Sequence, residues 1–122
     1  MTTTATDIGR AMFEPADRLD VEGWCSHLSE NVHFRFGNAE PLDGRGAVHE
    51  AVSQFFAGLK GLRHEVLEDW TVGDRVIQQL LVTYTHRPDD SQVTVPAVNI
   101  LRIDGELIGE YLIYVDLAPL YA

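Results

Sequence analysis

An acidic residue, Asp116, ends an apolar segment near the C-terminus and is the first candidate for chemistry. Residues 111–117 read Tyr-Leu-Ile-Tyr-Val-Asp-Leu, a pattern that predicts a β-strand with a carboxylate close to its end. Burial beside aromatic groups disfavours the charged form of a carboxyl, which lets such a group exchange protons near neutral pH. The segment therefore predicts a general acid or base. One alternative stays open, in which Asp116 caps the turn into the residues that follow it.

Two uncharged polar residues, Tyr84 and Asn99, are the predicted partners of that acid. Each lies in a segment whose residues alternate with period two, as in a strand. This alternation places Gln78 and Tyr84 on the same face as Leu80 and Val82. A phenol or a carboxamide on that face could hydrogen-bond a carbonyl or enolate oxygen as negative charge develops there. The alternative is that these polar groups belong to an ordinary core.

The rest of the predicted pocket is mostly apolar and aromatic. Leu112 and Tyr114 share strand parity with Asp116, so they are expected to face the same side. The other predicted lining residues are Phe34, Phe36, Asn38 and Trp70. Apolar walls with a few polar groups are typical of a site for a flat lipophilic molecule. The aromatic residues could instead pack as core, and Asn38 could only stabilise a turn.

Neither a metal site nor a cofactor is predicted. His49 and Glu50 fall on a predicted helix, but Ser53 stands where a zinc-binding helix would carry its second histidine. His64 and Glu65 fall on a predicted strand, where residues i and i+4 lie about 13 Å apart. The sequence also has no glycine-rich loop with the lysine that phosphate binding requires.

The charge balance argues against polyanionic partners. Nine Lys plus Arg against nineteen Asp plus Glu give a formal net charge of −10, which repels nucleic-acid phosphates and anionic membrane surfaces. No apolar segment approaches the roughly 20 residues that cross a bilayer. We therefore expect a small lipophilic molecule as partner, with no nucleic acid and no membrane. Residues 1–7 lack the parts of a secretory signal, so we expect a cytoplasmic protein with a frayed tail at residues 1–6.

The chain length and the pattern of apolar residues predict a single α+β domain over residues 1–122. Helical spacing predicts two short helices within about residues 6–31 and a longer helix that Asp43 caps and Gly61 ends. Strands are predicted over residues 32–36, 64–71, 75–86, 92–103 and 107–117, with turns at 73–74, 88–90 and 104–105. This order predicts a cone-shaped barrel of curved, mostly antiparallel sheet wrapped around about three N-terminal helices.

Residues 80–82 and 98–101 are apolar on both faces of the predicted sheet. A sheet with two apolar faces needs two covers, and the helices supply only one of them. The second cover is predicted to be another copy of the chain, so a homodimer is expected.

Four motifs follow one another along the chain in a recognisable order. They are Phe-Arg-Phe-Gly-Asn-Ala-Glu-Pro at residues 34–41, Gly-Arg-Gly-Ala-Val at 44–48, Asp-Gly-Glu-Leu-Ile at 104–108 and Tyr-Val-Asp-Leu-Ala-Pro-Leu at 114–120. Together with the order of elements, they resemble the nuclear transport factor two-like superfamily over about residues 6–120, and within it the SnoaL-like proteins. The resemblance implies a cone-shaped α+β barrel with an apolar pocket, commonly as a homodimer. Its members include polyketide cyclases, ketosteroid isomerases, epoxide hydrolases, dehydratases and non-catalytic binders, so the fold alone assigns no function.

The resemblance implies roles for two residues. Asp116 matches the acid that transfers protons at the end of the last strand in SnoaL-like cyclases and in limonene-epoxide-hydrolase-like enzymes. Asn38 matches a pocket asparagine that helps to hold water in those hydrolases. The hydrolases also carry Arg-x-Asp in the middle strand, where this chain has Leu80-Leu81-Val82.

On this basis we expect a cofactor-independent enzyme that cyclises or isomerises an apolar carbonyl compound, polyketide-like or steroid-like, by proton transfer through Asp116. Two alternatives stay open. One is the opening of an epoxide ring by a water held between Asn38 and Asp116. The other is a non-catalytic binder of a lipophilic ligand, or a dimeric scaffold.

Overall fold

This computed structural model describes residues 3–86 and 89–121. Three short helices come first, and a six-stranded sheet follows, with one longer helix between its second and third strands. In chain order the elements are α1 (Ala5–Arg10), α2 (Phe13–Asp17), α3 (Val21–Cys25), β1 (Leu28–Phe36), β2 (Leu42–Asp43), α4 (Arg45–Ala57), β3 (Leu59–Val72), β4 (Arg75–His86), β5 (Gln92–Asp104), β6 (Leu107–Val115) and a C-terminal 3₁₀ helix (Ala118–Tyr121). The α+β class predicted from the sequence is confirmed.

Capping side chains define where the short N-terminal helices begin. The Thr4 hydroxyl accepts from the Asp7 amide at 3.1 Å, while the Asp7 carboxylate accepts from the Thr4 amide at 3.3 Å. This reciprocal pair starts α1 at Ala5, so residues 5 and 6 are helical rather than part of the expected tail, and residues 1 and 2 lie outside the described range. Asp20 caps α3 through a single hydrogen bond, which its Oδ1 accepts from the Gly23 amide. No helix among the described residues is long and apolar enough to cross a membrane.

The sheet is open, curved and mostly antiparallel, with the strand order β2-β1-β6-β5-β4-β3. Only the pairing of β1 with β6 is parallel among the described strands. Gly73 and Gly105 take the positive φ angles that the β3–β4 and β5–β6 hairpins require, which confirms the predicted turns at 73–74 and 104–105. The predicted turn at 88–90 includes residue 88, which lies outside the described residues. The sheet does not close into the predicted barrel.

Several predicted boundaries differ from those observed. Three short helices stand where two were predicted, and β1 begins at Leu28 rather than at residue 32. Helix α4 is capped by Gly44 and followed at once by β3, which starts at Leu59 instead of residue 64. Asp43, the predicted cap, pairs with His33 across β1 and β2, with 2.7 Å between its Oδ1 and the histidine Nδ1.

One face of the sheet packs on the helices and forms the core. In β4 and β5 the buried residues alternate, as a strand with one covered face requires. The buried apolar residues of these two strands are Val76, Leu80, Val82, Tyr84, Val95, Ala97, Leu101 and Ile103. The helices contribute Ile8, Ala16, Trp24, Cys25, Val48 and Val52 to the same core, and Met12 joins it from the link between α1 and α2. The inner face therefore carries the residues that could form a site.

Candidate functional site

A cavity lies between the inner face of the sheet and the helices α2 and α4. The cavity volume is about 50 Å³. Its lining residues are Ala16, Phe34, Phe36, Val52, Phe55, Phe56, Leu62, His64, Leu80, Val82, Tyr84, Asn99, Tyr111 and Ile113. Most of this lining is apolar, and the polar groups are one imidazole, one carboxamide and two phenols. Such a cavity suits an apolar ligand that carries a few polar atoms.

The imidazole of His64 is the basic group of this cavity, and Asp17 holds it. Asp17 is the last residue of α2, and its Oδ1 lies 2.6 Å from Nδ1 of His64 in β3. Its Oδ2 also accepts from the His64 backbone amide at 3.4 Å. The side chain of His64 is 14% exposed and that of Asp17 is 31% exposed. The carboxylate therefore fixes the histidine at both its ring and its backbone.

Phe13 completes the support of His64. Its ring packs against the imidazole with 4.9 Å between the ring centroids and a tilt of 35°. Because Nδ1–H donates to the Asp17 carboxylate, Nε2 carries the lone pair and is the nitrogen that can accept a proton. A carboxylate in this position also stabilises the imidazolium once the proton has been taken. The arrangement can therefore act as a general base in an apolar cavity.

A second polar group lies on the inner face of β4, β5 and β6. The carboxamide nitrogen of Asn99 lies 3.2 Å from Gln78 Oε1 and 3.5 Å from the Tyr111 hydroxyl, and it donates to both. Gln78 is fully buried, and its Nε2 has no hydrogen-bond partner among the described residues. A buried donor without a partner costs about 1–3 kcal/mol. Gln78 Nε2 is therefore a buried polar atom whose desolvation no contact with the described residues offsets.

The phenols of the cavity stay protonated at neutral pH. Burial raises the pKa of Tyr84 above its ordinary value, and the nearby Tyr121 adds to the effect. Burial likewise raises the pKa of Tyr111, with a further contribution from Tyr84. Both groups are therefore hydrogen-bond donors rather than bases.

The structure brings six of the predicted site residues together around the cavity. These are Phe34, Phe36, Leu80, Val82, Tyr84 and Asn99. Gln78 faces the same side but is buried behind Asn99 rather than in the lining. The alternation of β4 and the aromatic pattern of β1 were sufficient to place these residues. Their role in binding or catalysis stays a prediction.

Asp116, the predicted acid, lies outside the cavity and is exposed. Its Oδ1 accepts from the Ala118 amide at 3.0 Å, so it caps the start of the C-terminal 3₁₀ helix. The capping alternative left open by the sequence is thus the one observed. Asn38 is also exposed, in the turn that follows β1, and it does not line the cavity.

The prediction for β6 was wrong in its parity. Tyr111 and Ile113 line the cavity, whereas Leu112 and Tyr114 lie on the outer face, where Tyr114 is 56% exposed. The predicted parity follows from an inward-facing Asp116, whereas Asp116 is exposed, and a shift of one residue reverses every side chain of a strand.

Trp70 was also predicted inside but is 44% exposed on the outer face. A bulge interrupts the pairing of β3 with β4 between Val66 and Glu68. The extra residue reverses the alternation beyond it, so Trp70 pairs with Ile77 on the outer side of the sheet.

The sequence reasoning missed His64, Asp17 and Tyr111 as site residues. His64 matches no complete metal motif, but it stands between Leu62 and Val66 at an inward position of its strand. A polar residue at such a position was the available signal. Asp17 carried no local signal, because its contact with His64 spans 47 residues of the chain. Among residues 3–86 and 89–121 no three His, Cys, Asp or Glu side chains are grouped to hold a metal ion.

Comparisons with known proteins agree with this architecture. The sequence model of the SnoaL-like domain matches residues 10–111. No curated protein sequence is significantly similar to this chain.

Three solved structures illustrate the likeness in fold. A protein of Jannaschia sp. CCS1, assigned as a SnoaL-like polyketide cyclase, superposes with a TM-score of 0.84 at 16% identity, over 96% of this chain and 88% of that one. An LEH-like epoxide hydrolase of M. tuberculosis gives a TM-score of 0.81 at 12% identity, over 96% of this chain and 86% of the hydrolase. An NTF2-like protein of unknown function from Burkholderia pseudomallei gives 0.85 at 16% identity, over 98% of this chain and 95% of that one. At these identities the likeness establishes the fold and no activity.

Proposed function

The chain belongs to the SnoaL-like domain family, and on this premise we propose that it is an acid/base enzyme in which His64 moves a proton on a carbon atom of an apolar carbonyl compound. One observation carries the proposal: a histidine inside an apolar cavity is held at Nδ1 by a carboxylate, with 2.6 Å between Nδ1 and Asp17 Oδ1. The proposed base is thus His64 instead of Asp116, and the proposed class of reaction is still proton transfer on a carbonyl compound.

In the proposed step, Nε2 of His64 takes the proton from the carbon next to the carbonyl group. The electron pair of the broken C–H bond forms a C=C bond, the π pair of the carbonyl moves to its oxygen, and the Asp17 carboxylate stabilises the imidazolium that results. The phenols of Tyr84 and Tyr111 are the donors that could hydrogen-bond the oxygen as its charge grows. Return of the proton to another atom completes an isomerisation. For a cyclisation, the same carbon attacks a second carbonyl to form the new C–C bond, and the alkoxide that results takes the proton back from His64.

The structural neighbours support acid/base chemistry on this fold without assigning it. One of them is an epoxide hydrolase and another is assigned as a polyketide cyclase. The specific alternative of a water held between Asn38 and Asp116 is not favoured here, because both side chains are exposed and neither lines the cavity. Epoxide opening by that pair is therefore not part of the proposal.

The proposed assembly is a homodimer that covers the outer face of the sheet. Trp70, Ile77, Ile100 and Leu112 are paired neighbours in one row across four strands, and each is at least partly exposed. An apolar row of this kind on the uncovered face of a sheet fits a second copy of the same face.

The test is catalysed exchange of carbon-bound hydrogen in D₂O. We would incubate α-tetralone, a small bicyclic ketone, with the protein and follow deuterium at the carbon next to the carbonyl by NMR. The proposal expects exchange faster than in buffer and its loss in His64→Asn. The matched control is His33→Asn, because His33 is also paired with an aspartate through Nδ1 but lies outside the cavity.

Exchange that stays equal to the buffer rate in the wild type, while the ketone still binds, would favour a non-catalytic binder. Exchange that His64→Asn leaves unchanged would remove His64 from the role of base.

A further inference from the structure

We infer that the cavity binds a hydroxyl group of its ligand, at a subsite that Tyr111 and Asn99 form and that Gln78 orients. The inference rests on the proposed function in one respect only, namely that this cavity is the reaction site. It adds a class of ligand, namely an apolar alcohol, phenol or enol that places a hydroxyl group at this subsite. A compound that places a ketone oxygen there is expected to bind less tightly.

The orientation of the Asn99 carboxamide determines what it offers to a ligand. Its Nδ2 donates to Gln78 Oε1 at 3.2 Å and to the Tyr111 hydroxyl at 3.5 Å. Both hydrogens of the amide group are thereby committed within the protein. The remaining polar atom of Asn99 is Oδ1, which is a hydrogen-bond acceptor and has no protein donor among the described residues.

Tyr111 supplies the complementary donor. Its hydroxyl oxygen accepts from Asn99, so its own O–H hydrogen is left for another acceptor, and the described part of the chain provides none. Tyr111 lines the cavity and is almost fully buried, so a ligand in the cavity is the group within reach of that hydrogen. The subsite therefore offers one donor and one acceptor side by side.

A hydroxyl group matches this pair because it accepts from Tyr111 and donates to Asn99 Oδ1 at the same time. A ketone oxygen can only accept a hydrogen bond. It would leave Asn99 Oδ1 without a donor and place the lone pairs of the two oxygens against each other. Proton removal at the same cavity gives an enolate, which acquires the required O–H when its oxygen takes a proton from the His64 imidazolium. The subsite would favour the resulting enol over the ketone.

Gln78 is a positioning residue for this subsite. It is fully buried, and its Nε2 has no partner in the described part of the chain. That nitrogen is close to the α1 backbone, since a Cβ on Gly9 would lie 3.0 Å from it. An apolar side chain of similar volume would fill this space without an unpaired donor. What glutamine adds is Oε1, which holds the Asn99 amide nitrogen away from the ligand.

The experiment compares α-naphthol, α-tetralone and naphthalene, which are similar in size and differ in the oxygen group. Binding is measured by calorimetric titration of the full-length protein. We expect α-naphthol to bind about five- to tenfold more tightly than α-tetralone, which corresponds to one additional hydrogen bond. In Gln78→Met this ratio should fall towards one, because Asn99 is free to turn its amide nitrogen to the ligand. The matched control is Gln79→Met, since Gln79 is the exposed neighbour on the opposite face of β4 and should leave the ratio unchanged.

Circular dichroism checks that each variant folds. If Gln78→Met does not fold, Tyr111→Phe provides the test, because loss of the donor should weaken the binding of α-naphthol and leave the binding of naphthalene unchanged. Equal binding of the three compounds, tighter binding of the ketone, or binding of none of them would overturn the inference.

The same titrations in His64→Asn separate this inference from the proposed function. A preserved preference for α-naphthol, with no proton exchange above the buffer rate in the wild type, would refute catalysis by His64 and keep the hydroxyl subsite. Exchange that depends on His64, with no preference among the ligands, would do the reverse.

Discussion

Asp17 and His64 lie 47 residues apart in the sequence, yet Oδ1 of the aspartate is 2.6 Å from Nδ1 of the histidine. The contact joins the last residue of α2 to the inner face of β3 at the wall of the cavity. It fixes the tautomer in which Nε2 is basic and turns an ordinary strand histidine into a candidate base.

The first prediction concerns Asp17→Asn. An amide cannot stabilise the imidazolium, and its nitrogen can reverse the hydrogen bond to Nδ1, which would move the lone pair away from Nε2. We expect the exchange rate of α-tetralone to fall by roughly a hundredfold while the ketone still binds. The rate is measured by NMR and binding by titration. Asp43→Asn is the control, since Asp43 pairs with His33 outside the cavity and should leave the rate unchanged. An unaltered rate in Asp17→Asn would show that the pair is only structural.

The second prediction concerns Asp116→Ala. The side chain accepts from the Ala118 amide at the start of the 3₁₀ helix and does not line the cavity. We expect the free energy of unfolding to fall by about 1 kcal/mol through loss of this hydrogen bond, with the exchange rate unchanged. Denaturant titration measures the first effect and the NMR assay the second. A large loss of exchange in a folded variant would return the catalytic role to Asp116.

Part of the fold and part of the candidate site could be predicted from the sequence. The order of helices and strands and the inward side of β4 followed from local alternation and turn residues, so Leu80, Val82 and Tyr84 were placed correctly. The position of Trp70 depended on a bulge in β3 that no local pattern indicated.

The candidate base could not be predicted for a different reason. Asp17 and His64 meet only after α2 packs on β3, and neither residue has a neighbour in sequence that signals the other. Asp116 had a local signal, but that signal is shared by a catalytic acid and by a cap. The three-dimensional position of Asp116, which the local pattern does not give, decides between these two roles.

The third prediction concerns assembly. We expect the wild type to be a dimer at micromolar concentration and Ile100→Glu to be a monomer, because a charge in the apolar row of the outer face would have to be buried without a partner. Light scattering gives both masses. Gln54→Glu adds a charge of the same sign on an exposed position of α4 and should remain a dimer. A monomeric mass for the wild type would contradict the proposed assembly.

The fourth prediction concerns stability at alkaline pH. Burial raises the pKa of Tyr84 and Tyr111 above the ordinary tyrosine value of 10.0. Below that value both phenols are protonated in the folded and the unfolded chain, so their contribution to stability is fully present. As pH rises above it, the unfolded chain releases these protons while the folded chain still holds them. The folded state then binds more protons, and stability falls with rising pH.

We therefore expect the free energy of unfolding to decrease from about pH 10 to about pH 11 more steeply in the wild type than in Tyr84→Phe or Tyr111→Phe. Denaturant titrations at several pH values give the slopes. Tyr114→Phe is the control, because Tyr114 is 56% exposed on the outer face. Its slope should equal that of the wild type. Equal slopes in all four proteins would mean that the two buried phenols ionise as readily in the folded chain as in the unfolded one, and the cavity would then be open to water rather than apolar.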